Sequence, residues 1–79
     1  MADVAVEWAA GGRERFRVGL IKVRGGRSYG EFMGDTGLDK GAVWRWEHHV
    51  IPQLETALRI AEACGTTVRK MIKDEWSLA

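Results

Sequence analysis

Few residues in this chain have the types and spacing to do chemistry. Ser28 is a candidate nucleophile, and His48, His49 and Cys64 are candidate proton carriers or metal ligands. A serine attacks only when a base activates it, and no His or Asp stands at motif spacing from Ser28. The usual zinc sites take three or four Cys/His, and the chain has no CxxC pair. There is no phosphate-cradling P-loop and no GxGxxG string. No enzymatic activity, no metal and no other cofactor is therefore expected. His48 and His49 read as loop residues beside a helix C-terminus, where a protonated imidazole is mildly favourable. Cys64 lies on an apolar stripe and reads as a small core hydrophobe.

What remains is charge. The net charge is +1, from 12 Lys and Arg against 11 Asp and Glu, which by itself points to no partner. Its distribution says more. Residues 13–51 hold eight bases (Arg13, Arg15, Arg17, Lys22, Arg24, Arg27, Lys40, Arg45) against five acids (Glu14, Glu31, Asp35, Asp39, Glu47), whereas residues 1–12 hold two acids and no base. An anionic partner would be met in the middle of the chain.

The elements that must carry these residues are short. Gly11-Gly12, Gly25-Gly26, Gly34 to Gly37, His48 to Pro52 and Gly65 to Thr67 divide the sequence at regular intervals. Residues 13–24 predict a helix with two competing apolar faces, Phe16, Leu20 and Val23 or Val18 and Ile21. Ser28-Tyr29-Gly30-Glu31 is an S-x-x-E capping box opening a second helix, and Gly37 can take the left-handed turn that ends it. Asp39 is a good N-cap for a third, with Val43 and Trp46 on one face. Pro52 suits the first turn of a fourth, in which Leu54, Ala57, Leu58, Ala61 and Cys64 share a stripe. Thr67 can cap a fifth, with Val68, Met71, Ile72 and Trp76 on one side. No stretch sustains period-two alternation. The expectation is an all-α fold of five short helices.

Seventy-nine residues allow one small domain, and 46% apolar with 29% charged residues is globular composition. No run without Asp, Glu, Lys or Arg exceeds the seven residues from His48 to Leu54, too short to span a membrane. Asp3 and Glu7 stand where a secretory leader would be basic and then apolar, so a cytoplasmic protein is expected. At this size, without a disulfide, a homodimer is a fair expectation.

A capped helix, a tight glycine-containing turn and a second helix starting at Asp39 form the layout of a helix-turn-helix, whose second helix is offered to the DNA major groove. Ser28-Tyr29-Gly30-Glu31-Phe32-Met33, Gly37-Leu38-Asp39, Val43-Trp44-Arg45-Trp46-Glu47, Pro52 and the string from Leu54 to Gly65 together resemble the phage repressor and Cro type of helix-turn-helix domain, the XRE-like family. The resemblance covers about residues 13–73. It implies a lambda-repressor-like domain over 13–73 with its motif at 28–47, flanked by an N-terminal extension (1–12) and a C-terminal tail (74–79).

The resemblance also implies roles. Val43 and Trp46 would lie in the core, and Glu47 would pair with a basic residue of the helix over 13–24, at Lys22 when counted without gaps. Lys40, Gly41 and Arg45 would face base edges, where Lys and Arg suit the O6 and N7 acceptors of guanine. Arg27, Ser28, Tyr29, Trp44 and His48 complete the expected DNA-contacting set, the start of the 28–35 helix meeting phosphate. Arg13, Arg24 and Arg27 are expected to add phosphate contacts. A dimer would read half-sites about one DNA turn, roughly 34 Å, apart, and Met71, Trp76 and Leu78 of the last helix and tail are expected at its interface. The implied function is a small transcriptional regulator, of phage or prophage type, that occludes a promoter.

The departures from the family are specific. His48-His49 replace a usual glycine, Gly41 removes a side chain from a base-reading position, and Trp44 fills a slot that is usually small or polar. Trp44 can fold back over Val43 or a loop, stack on DNA sugars, or anchor a protein partner. Near-neutral charge, Gly41 and Trp44 leave open a second function, a helix-turn-helix fold reused to bind a host factor or a toxin.

Overall fold

Ser28 begins the most completely determined corner of the molecule. In the computed structural model, which describes residues 3–73, its hydroxyl accepts from the Glu31 amide at 3.1 Å, and the Glu31 carboxylate accepts from the Ser28 amide at 2.9 Å. This reciprocal cap starts one helix, Tyr29–Thr36. Gly37, at φ 79°, ends it in the left-handed region that a glycine adopts without a Cβ clash. Asp39 then opens the next helix, Lys40–His48, by accepting from the Ala42 amide at 3.0 Å.

The described residues are all-α, with helices α1 (Val4–Glu7), α2 (Arg13–Arg24), α3 (Tyr29–Thr36), α4 (Lys40–His48), α5 (Leu54–Ala63) and α6 (Val68–Lys73). Helices α2 to α6 coincide with the five expected from sequence. The single turn α1 precedes them, joined to α2 through a wide helical turn, Trp8–Gly12, with Gly11 at φ 91°. No described helix is long and apolar enough to cross a membrane.

Packing resolves the ambiguous rotation of α2. Phe16, Gly19 and Leu20 face the core, whereas Val18 and Ile21 are exposed. Gly19 makes this possible, because α2 lies against α6 so closely that a Cβ there would sit 2.7 Å from the Met71 carbonyl oxygen. Phe16, Leu20, Phe32, Val43, Ala57, Ile60, Ala61, Val68, Met71 and Ile72 form the core. Trp8 joins it from within residues 1–12, 8% exposed and edge-on to Phe16 at 5.3 Å between centroids. Met71, expected at a dimer contact, is buried in the monomer's own core; Trp76 and Leu78 lie outside the described residues.

Two details of α5 correct the sequence reading. Pro52 precedes the N-cap Gln53 and so lies outside the first turn. Leu58, read as core, is 46% exposed while Ile60 is buried. The stripe has turned toward Ala57, Ile60 and Ala61 because small Ala57 and Ala61 allow close approach, leaving Leu58 on the flank. At the far end, Thr67 caps α6 by accepting from the Lys70 amide at 3.2 Å, as expected.

Glu7 clips α1 to α6, bonding Arg69 at 2.8 Å with Lys73 at 3.6 Å. The Arg69 hydrogen bond holds the Glu7 carboxyl below its ordinary value, and the Ser28 amide and hydroxyl do the same for Glu31. Both carboxyls bind protons less readily when folded than when unfolded. Their stabilisation is complete above the ordinary glutamate value near 4.5 and is lost as pH falls from there through the lowered values of the folded state. Chemical denaturation at pH 6, 5, 4 and 3 should show this contribution level from 6 to 5 and declining from 5 to 3, with a shallower decline in Glu31→Gln. A second test separates close contact from open space. Gly19→Ala should destabilise by about 1–3 kcal/mol through overpacking on Met71. Gly34→Ala, with nothing within 4 Å of its Cβ and a helical backbone, should stabilise by about 1 kcal/mol.

Candidate nucleic-acid interface

Glu47 fixes the rotation of α4. It is 6% exposed, and a carboxylate so placed requires a charged, hydrogen-bonded partner. Arg24, at the end of α2, supplies a two-pronged one: Nε donates to Oε2 at 2.8 Å and an Nη donates to Oε1 at 3.0 Å. The expected partner, Lys22, is corrected to Arg24. Helical spacing explains the difference. Phe16, Leu20 and Arg24 follow one another at four-residue intervals on the inward face, as Val43 and Glu47 do on α4. The ungapped count pointed instead to the outward side of α2.

Tyr29 completes the cluster. Its hydroxyl donates to Glu47 Oε1 at 2.8 Å, and the Arg24 guanidinium lies 4.2 Å over its ring. Burial and then the Glu47 hydrogen bond raise the tyrosine above its ordinary value. The Glu47 hydrogen bond raises Arg24 likewise, against its partial desolvation. A third Arg24 nitrogen donates to the Arg27 carbonyl at 2.8 Å.

Arg27 is similarly committed. It donates to the Val23 and Arg24 carbonyls at 2.7 and 3.2 Å, closing the C-terminus of α2, and to Asp35 of α3 at 2.8 Å. Its guanidinium covers the Phe32 ring at 4.8 Å. Arg24 and Arg27, expected to meet phosphate, thus have internal partners, and Ser28 spends its hydroxyl on the cap. These residues and Tyr29 are drawn together as the scaffold beneath α4.

The other expected residues share one surface. Val43 and Glu47 face inward with Trp46 half-buried, so Lys40, Gly41, Trp44, Arg45 and His48 lie together on the exposed face of α4. Neither Lys40 nor Arg45 takes part in an ion pair among the described residues, and the two acids on and beside the helix are occupied. Asp39 caps the N-terminus, and Glu47 holds Arg24.

Trp44 is 43% exposed and is ordered by its own helix. The His48 ring stacks on it at 4.7 Å between centroids and 21° between planes, while His48 Nδ1 lies 2.9 Å from the Trp44 carbonyl oxygen. The sequence reading puts both His48 and His49 in a loop; His48 is instead the last residue of α4, and His49, its C-cap, leans on the same indole at 4.9 Å and 55°. The aromatic spacing i, i+4 was the signal for the first contact.

No group of three or more His, Cys, Asp or Glu among the described residues could hold a metal ion. Cys64 is partly buried, and desolvation pushes its thiol up to about 11, so at neutral pH it is a thiol and a poor nucleophile. Comparison with protein-family models, with curated proteins and with solved structures finds no match to this chain.

Breaking the cluster around Glu47 from one side should be costly. Glu47→Ala leaves Arg24 partly buried without its counter-charge and should cost about 3–5 kcal/mol. Tyr29→Phe removes one hydrogen bond to a carboxylate and should cost on the order of 1–2 kcal/mol. Equilibrium urea denaturation of the three proteins checks the ranking.

Proposed function

We propose that this chain is a small, sequence-specific DNA-binding transcriptional regulator of the Cro and repressor (XRE-like) helix-turn-helix type. In this reading α3 and α4 are the two motif helices of a lambda-repressor-like domain, and α4 enters the major groove. The observation that carries it is the exposed face of α4, where Lys40 and Arg45 stand unpaired among the described residues and both nearby carboxylates are occupied. Donors of this kind match the guanine O6 and N7 acceptors. The protein works in the cytoplasm as a dimer that occludes a promoter, its two α4 helices meeting half-sites about one helical turn apart. Trp76 and Leu78 are the proposed dimer contacts.

Two observations favour a second function, a partner protein bound by the same face. Trp44 is exposed there, and Arg24 and Arg27 are unavailable for phosphate. Selection of bound duplexes from a random pool near physiological salt separates the two. DNA binding predicts enrichment of a two-fold symmetric, guanine-containing motif, with affinity that falls as salt rises. Arg45→Ala should then cost about 1–3 kcal/mol on the selected site and much less on random duplex. No enrichment, and no binding of random duplex even at low salt, would sink the DNA reading in favour of a protein partner.

A further inference from the structure

The exposed face of α4 carries two kinds of recognition chemistry, and the cations account for only one. Lys40 and Arg45 can donate hydrogen bonds. Between them Trp44 presents a large hydrocarbon surface, held in place by its neighbours. His48 is stacked against the ring and His49 leans on it, while the contact from His48 Nδ1 to the Trp44 carbonyl limits the imidazole. The indole thus has much of its rotational freedom removed before any partner arrives, which lowers the cost of using it in binding. One turn before it stands Gly41, and the nearest group to its absent Cβ is the Asp39 carboxylate at 3.2 Å. No side chain rises at position 41 to hold a ligand away from the indole.

On the major-groove edge of the four standard base pairs, the apolar feature is the thymine 5-methyl group. We infer that Trp44 is a specificity-determining residue that packs on the 5-methyl group of a thymine, beside the guanine acceptors met by Lys40 and Arg45. The inference rests on the DNA-binding reading above. It assigns duplex DNA to the apolar patch because unpaired cations flank the patch and the neighbouring carboxylates are taken, a complement to phosphate and to guanine.

Replacing thymine by deoxyuridine deletes this methyl and leaves every hydrogen-bonding group in place. The experiment measures fluorescence anisotropy of the full chain on the selected duplex, with each thymine replaced in turn. The wild type should lose about fourfold to tenfold in affinity at one thymine per half-site, the size expected for burial of one methyl group. Trp44→Ala should bind the thymine and uracil duplexes equally, and Trp44→Phe should retain a methyl preference. Far-UV circular dichroism melts check that both variants fold, which the exposure of Trp44 favours. Specific binding by the wild type with no methyl dependence at any position would overturn the inference and leave the DNA reading standing. A methyl dependence that survives in Trp44→Ala would assign the contact elsewhere and overturn it too. Absence of specific DNA binding would overturn both readings together.

Discussion

The Arg24–Glu47 pair is the constraint on which the presentation of α4 depends. Glu47 is held beneath α4 and cannot be left uncompensated there, so α4 must turn the face carrying it toward the end of α2. Tyr29 reaches the same carboxylate from the first turn of α3, so three helices meet at one anion. This polar junction continues a rigid apolar one, since Val43 lies one turn before Glu47 and Leu20 one turn before Arg24. The outward position of Lys40, Gly41, Trp44, Arg45 and His48 follows from this inward anchoring. A buried pair of this kind adds little net stability over an apolar substitute. It does specify a rotation of α4, because a slip of one residue would strand the carboxylate.

The cations divide into two groups by what they touch. Arg24 and Arg27 close the C-terminus of α2 and join it to α3, while Arg69 ties α6 to Glu7. Their charge is locally neutralised, although each counts as fully as Lys40 or Arg45 in a net charge of +1. The middle-chain excess seen in the sequence is thus partly consumed by the framework. A polyanion would meet a narrower patch than the composition suggests, with fewer counterions to release and a shallower dependence on salt. On the proposed DNA-binding reading, this face would lean more on the shape and chemistry of α4 than on bulk attraction.

Local signals were legible in the sequence because they act over three or four residues. The Ser28 box, Gly37, Asp39 and Thr67 all work as their positions suggested, since a cap needs only its own turn. The rotation of α2 was not legible, because Val18 and Ile21 are as apolar as the residues that compete with them. The decision came from Gly19 and α6, a contact between segments about fifty residues apart. Leu58 misled for a related reason, as its spacing fits the stripe while the small residues beside it set the line of approach. Trp8 shows the converse: no local pattern could say that Phe16 would receive it. For the candidate interface, the outward residues of α4 came from the family resemblance, while period marked only Val43 and Trp46 as sharing a face. The employment of Arg27 and Tyr29 in the scaffold was not legible, since their partners lie on other helices.

Trp44 tests how far local order can be read as preparation for binding. An exposed indole on a helix gains some shelter from any i+4 aromatic, and stacking on His48 reduces its own contact with water. That alone would suit a surface with no partner. The neighbours argue otherwise. Gly41 sits one turn away in the first turn of α4, beside the capping carboxylate of Asp39, and Lys40 and Arg45 flank the gap with donors. With no side chain at position 41, the solvent side of the indole is left open, which is the arrangement the proposed contact with a flat, hydrogen-bonding surface would need.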